Sequence, residues 1–75
     1  MSYRKIRLRE VNDVREFVNA AEKCDYDVDI SYNRFIIDAK SLLGVLSLDL
    51  TKELTVKYSE EDLQFNDILN KYAVS

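Results

Sequence analysis

The chain has 75 residues, 47% of them hydrophobic and 33% charged, with a net charge of −3 and no histidine. That length predicts one domain over residues 1–75, able to bury only about 60% of its unfolded surface. It is too apolar for a disordered segment, and its acidic balance provides no basic face for a nucleic-acid partner. Cys24 is the only cysteine, so an intramolecular disulfide is excluded. The N-terminal MSYRKIRLRE lacks the apolar stretch of a secretory signal, and no apolar run nears the ~20 residues that span a bilayer. These features predict a cytoplasmic protein with no membrane partner.

Ile6 and Leu8 alternate with Lys5, Arg7 and Arg9, which predicts a half-buried strand over Arg4–Arg9. Val11, Val14, Val18 and Ala21, with Phe17 beside them, recur at three- and four-residue steps and predict an amphipathic helix over Val11–Cys24. Asn12 and Asp13 suit its N-terminus. Val28, Ile30 and Tyr32 mark a second strand, Asp27–Tyr32, and Phe35, Ile37 and Ala39 a third, Phe35–Ala39. Only Asn33 and Arg34 separate them, so they must form an antiparallel hairpin, with Asn33 tolerating the positive φ of the turn.

Ser41 is a good N-cap for a short helix, Ser41–Leu48, that is apolar on most of its surface. Leu54, Val56 and Tyr58 alternate through a fourth strand, Glu53–Tyr58. Ser59 followed by Asp62 resembles a capping box for a last helix, Glu60–Tyr72, with Phe65, Ile68, Leu69 and Tyr72 as its apolar stripe. The order β-α-β-β-α-β-α implies an α+β protein with an antiparallel sheet. Patterning alone does not separate it from a ferredoxin-like split βαβ arrangement.

The segment Lys40-Ser41-Leu42-Leu43-Gly44-Val45-Leu46-Ser47-Leu48 resembles the regulatory-serine region of HPr, the phosphocarrier of the bacterial sugar phosphotransferase system. It meets every position of the family pattern K-S-[IL]-[ML]-G-[VIL]-[ML]-S-L. The resemblance runs without a gap from Glu10 to Leu48 and implies an open-faced β-sandwich: four antiparallel strands covered on one face by three helices. It breaks at the family's H-A-R-P motif, whose four positions fall on Glu10, Val11, Asn12 and Asp13. The phosphate-carrying histidine is replaced by Glu10, and nothing there would stabilise an acyl phosphate. The chain is thus similar to histidine-lacking, Crh-like HPr proteins and to short clostridial HPr-domain proteins.

Several residues carry two readings. By resemblance, Ser41 is a target of an HPr kinase/phosphorylase; on its own it is a helix cap worth ~1 kcal/mol. Leu42, Leu43, Leu46 and Ser47 match the surface through which the family contacts enzymes and a transcription regulator; otherwise the leucines are core. A helix apolar nearly all round cannot bury every side on one sheet face, which favours docking for Leu43 and Leu46 and core for Val45 and Leu48. Gly44 either permits close backbone approach by a partner or ends or tightens the helix. Asp38 and Asp49 would repel a phosphate on Ser41. Arg4, Lys5, Arg7 and Arg9 read as a solvated strand face. Asp25, Asp27 and Asp29 lack the offsets of a calcium loop, and Cys24 reads as packed rather than reactive.

The reading is therefore a non-enzymatic regulatory or adaptor protein, expected to be a monomer without metal or cofactor. Its alternatives are a phosphocarrier or small catalyst using Glu10, and an interaction domain that is never switched.

Overall fold

The computed structural model describes residues 1–74. Among them the elements run β1 (Ser2–Ile6), α1 (Val11–Glu22), β2 (Val28–Tyr32), β3 (Phe35–Asp38), α2 (Leu42–Leu46), β4 (Leu54–Tyr58) and α3 (Leu63–Tyr72). The strands form one sheet in the order β1-β4-β2-β3, with every pair antiparallel. This is the α+β open-faced arrangement, and the ferredoxin-like alternative falls away because β1 lies at the sheet edge beside β4 alone, whereas a split βαβ sheet sets β1 in the centre beside β3.

The register sorts the side chains onto two faces. Ile6, Leu54, Val56, Tyr58, Val28 and Ile30 lie under the helices and are buried. The other face is wet and carries Lys5, Thr55, Ser31, Lys57 and Asp29. From α1, Val14, Phe17, Val18 and Ala21 close over the core, and Phe65 and Leu69 do so from α3. Phe65 joins three elements: its ring lies 6.0 Å from Phe17, tilted at 42°, and 6.0 Å from Tyr58, edge to face. Such pairs add about 0.5–1.5 kcal/mol beyond their burial. The N-terminal motif residue Val11 is 54% exposed and lies outside this stripe.

Expectations for the first strand and the last helix are corrected. β1 covers Ser2–Ile6 rather than Arg4–Arg9, because its partner runs out: Ile6 faces Leu54, the first residue of β4. Beyond it, the Arg7 N–H donates to the Tyr72 carbonyl at 2.9 Å and the Val74 N–H to the Lys5 carbonyl at 3.0 Å. Leu8 stays buried without being in a strand, so the period-two signal outlasted the ladder. The basic residues are also not one solvated strand face, since Arg4 reaches Asn70 Oδ1 on α3 at 2.7 Å. The second correction concerns α3. Its cap is Asp62, not Ser59: Asp62 Oδ1 accepts from the Gln64 N–H at 2.9 Å and the Phe65 N–H at 3.4 Å. The carboxylate expected at the third helical position does the capping itself.

The hairpin turns as expected, with Asn33 at φ 54°. Cys24 is buried, its thiol 3.5 Å from the Ala20 carbonyl. No helix among the described residues is long and apolar enough to cross a membrane.

A clasp links α1 to α3. Glu16 Oε1 accepts from Lys71 Nζ at 2.8 Å and from the Tyr72 hydroxyl. The Lys71 bond first, and the Tyr72 bond second, hold the Glu16 carboxyl below its usual range. A carboxyl depressed on folding stabilises the fold fully above its unfolded pKa, and that contribution is lost as pH falls through the folded value. Thermal melts from neutral to acidic pH test this. Glu16→Gln should lower Tm slightly at neutrality and lose less Tm on acidification than wild type; parallel curves would show the clasp to be energetically silent.

Candidate functional site

The chain from Lys40 to Leu48 wraps α2 over the β3 edge of the sheet, against α1. Ser41 is the N-cap of α2, at φ −101° and ψ 107°, and its hydroxyl accepts from the Gly44 N–H at 3.2 Å. The Val45 N–H bonds the Ser41 carbonyl at 2.9 Å and closes the first turn. At the other end, Ser47 Oγ donates to the Gly44 carbonyl at 2.5 Å. Just upstream, Asp38 Oδ1 accepts from the Lys40 N–H at 2.9 Å, while Lys40 Nζ reaches the Cys24 carbonyl at 2.9 Å. Lys40 thereby ties the start of α2 to the end of α1.

Gly44 has a definite structural task. A Cβ built on it would lie 2.7 Å from Ile37 Cγ2 and 3.0 Å from Ser41 Oγ. The glycine lets the α2 backbone press against β3, with Ile37 as the neighbour, a close approach within the chain and not the approach by a partner that the sequence suggests.

That contact fixes the rotation of α2. Val45 is fully buried and Leu48 is 8% exposed, both in the core. Leu43 points the other way and is 80% exposed; Leu42 and Leu46 are half-buried and pack on the core's rim. Ser41 and Ser47 are exposed. Beside the C-terminal end of α2, Tyr32, Phe35, Ile37, Ser47, Leu48 and Asp49 line a mostly apolar concavity of about 300 Å³. The aromatic rings of this hollow were missed in the sequence. The sequence marks Phe35 only as part of the third strand; β3 is the sheet's edge strand and leaves it 60% exposed.

Of the two acids flanking the motif, only Asp38 stands at the Ser41 end of α2. Asp49 lies past the opposite end, where Thr51 engages it through its N–H at 3.0 Å and its hydroxyl at 2.6 Å. Those bonds hold the Asp49 carboxyl below its usual range.

Glu10 is exposed and caps α1 some distance along the chain from this surface. Its N–H and that of Arg9 donate to Asp13 Oδ2, at 3.2 and 3.0 Å. Among the described residues no group of three or more Cys, Asp or Glu side chains is placed to hold a metal ion.

A four-stranded antiparallel open sheet in the order β1-β4-β2-β3 with three helices is the fold of the small HPr-type proteins. The family model described as the PTS HPr component phosphorylation site matches residues 12–70, and the chain belongs to that family. Its members are phosphocarriers rather than enzymes, and they work by contact with other proteins of the phosphotransferase system. The match begins at Asn12, so Glu10 lies outside the matched residues.

The Gly44–Ile37 contact is testable by stability measurements. Alanine is favoured over glycine in a helix by about 1 kcal/mol, whereas overpacking costs about 1–3 kcal/mol. Gly44→Ala should therefore lower Tm in the wild-type background. In an Ile37→Ala background, which removes the clashing methyl, the same change should raise Tm. A loss of equal size in both backgrounds would mean that Ile37 is not what demands the glycine.

Proposed function

We propose that this chain is a non-catalytic regulatory or adaptor member of the HPr family, working in the cytoplasm by binding a protein partner through the α2 surface. The observation that carries the proposal is Leu43: an 80% exposed leucine in the first turn of a helix, two residues after the Ser41 cap. An apolar side chain held in water next to a modifiable hydroxyl suits a docking surface with a charge switch. Leu42, Leu46 and Ser47 complete the surface, and an HPr kinase/phosphorylase or a transcription regulator is the partner that the family suggests. The absence of histidine supports a role outside phosphate carriage.

A phosphate on Ser41 would add about −1.5 to −2 charges. It would displace the hydroxyl's bond from the Gly44 N–H and face Asp38 across the start of α2. A partner would favour the modified form if it presents arginines beside an apolar pocket, since Arg–phosphate pairs are strong and bidentate.

Two variants divide the proposal. Ser41→Ala should abolish labelling by an HPr kinase while the fold survives, because losing a cap costs ~1 kcal/mol. Leu43→Asp should leave Tm within a few degrees of wild type and weaken partner binding in both forms of Ser41. Wild-type protein that no HPr kinase labels would reduce the function to an unswitched adaptor.

The phosphocarrier reading is tested separately. Incubation with the first enzyme of the sugar system and labelled phosphoenolpyruvate should leave the protein unlabelled. Label that disappears in Glu10→Gln would instead establish Glu10 as an acceptor.

A further inference from the structure

Beyond α2, the molecule has an open strand edge. β3 pairs with β2 on one side, and among the described residues no strand pairs with its other side. Such an edge is a template for a further strand unless charge, proline or a bulge blunts it. This one is not blunted at its centre: Phe35 is 60% and Ile36 69% exposed.

The main chain is set to pair. The Ala39 N–H bonds the Val28 carbonyl at 2.9 Å. Hydrogen-bonding residues alternate along an antiparallel ladder, so Ile37 and Phe35 also direct their main-chain groups at β2. Ile36 and Asp38 direct theirs outward. The Asp38 carbonyl is already taken by the Ser41 N–H at 3.0 Å, which leaves Ile36 at the centre of the free edge.

We propose that the occupant of this edge is the same strand of a second copy, so that two molecules join across a two-fold axis at Ile36 into one eight-stranded sheet. The sequence of the edge is Arg34-Phe35-Ile36-Ile37-Asp38. Laid antiparallel on itself about Ile36, it sets Arg34 opposite Asp38 of the other copy, Phe35 opposite Ile37, and Ile36 opposite Ile36. Opposite charges, an aromatic against a β-branched residue, and two exposed isoleucines therefore meet at every position, the pairings that stabilise cross-strand neighbours. The phase is also right, because Ile36 and its copy present N–H and carbonyl groups to each other. A shift by one residue sets outward groups against inward ones. A shift by two sets either Arg34 or Asp38 opposite Ile36, and in the second case Arg34 falls opposite Lys40. Charge and phase select the single register centred on Ile36. The sequence alone suggested a monomer, since the self-complementarity of five residues means nothing until β3 is known to be an edge.

Sedimentation equilibrium over a range of protein concentrations reads the association directly. Wild type should shift from monomer to dimer with concentration, and Ile36→Lys, at a solvated position, should remain folded and monomeric. Arg34→Asp and Asp38→Arg each create two like-charge pairs in the homodimer and should each be monomeric. Mixed in equal amounts they should associate one to one, since every facing pair is then of opposite sign. A wild type that stays monomeric to its solubility limit, an Ile36→Lys protein that still dimerises, or two folded charge variants that ignore each other would overturn the proposal. Asp38→Arg gives up the bond from the Lys40 N–H. If circular dichroism shows it unfolded, the Ile36→Lys result decides alone.

Discussion

The approach of the Gly44 backbone to Ile37 governs the placement of α2. With only 2.7 Å between a hypothetical Cβ and the Ile37 methyl, α2 sits where no other residue type fits without displacement. A glycine inside a helix is unfavourable by about 1 kcal/mol, and in a five-residue helix little else resists that loss. The return is rotational definition. With the Gly44 side of α2 against β3, Val45 and Leu48 turn into the core and Leu43 turns out. The hydroxyls of Ser41 and Ser47 brace the helix from both ends by bonding the N–H and the carbonyl of the same glycine.

Much of this was legible in the sequence. The order of the elements, the hairpin at Asn33, the burial of Val45 and Leu48 and the exposure of Leu43 follow from periodicity and from the impossibility of burying every side of an apolar helix on one sheet face, whereas Leu46, expected outside with Leu43, is half-buried against the core. What could not be read depended on partners distant in the chain. Whether Arg7–Arg9 continue a strand depends on where β4 starts. Whether Phe35 is core depends on which strand lies at the edge, and strand order is not written in alternation. Asp62 rather than Ser59 caps α3 because the helix starts three residues later than the pattern suggested, and both residue types cap well. The role of Gly44 was undecidable for the same reason, since Ile37 lies seven positions upstream with a turn between them.

Met1, Tyr3, Val11 and Leu63 are exposed at separate places, but three other exposed apolar side chains lie on neighbouring elements. Phe35, Ile36 and Leu43 belong to β3 and α2, two elements in mutual contact at one side of the molecule. The opposite edge, β1, is covered where α3 meets it: Arg4 reaches Asn70, and Ile6 bridges to Ala73. One end of the sheet is thus sealed by the chain itself, and the other presents apolar groups flanked by Arg34 and Asp38. Singly exposed apolar side chains are ordinary on a protein surface, so it is the adjacency of Phe35, Ile36 and Leu43, rather than their number, that sets this side apart.

The start of α1 bears on the chemistry from another direction. Phosphate carriage at a helix N-terminus relies on free main-chain N–H groups and nearby cations to receive the anion. Here the Asp13 carboxylate already accepts from the N–H groups of Arg9 and Glu10. These bonds keep α1 capped without a histidine or proline, so the fold does not suffer from their loss. They also place a fixed negative charge beside the position that a phosphoryl group on Glu10 would occupy. An acyl phosphate there would have to compete with Asp13 for the same donors while being repelled by it. The residue that caps this end of the helix is therefore the one that disfavours carrying a phosphate on it.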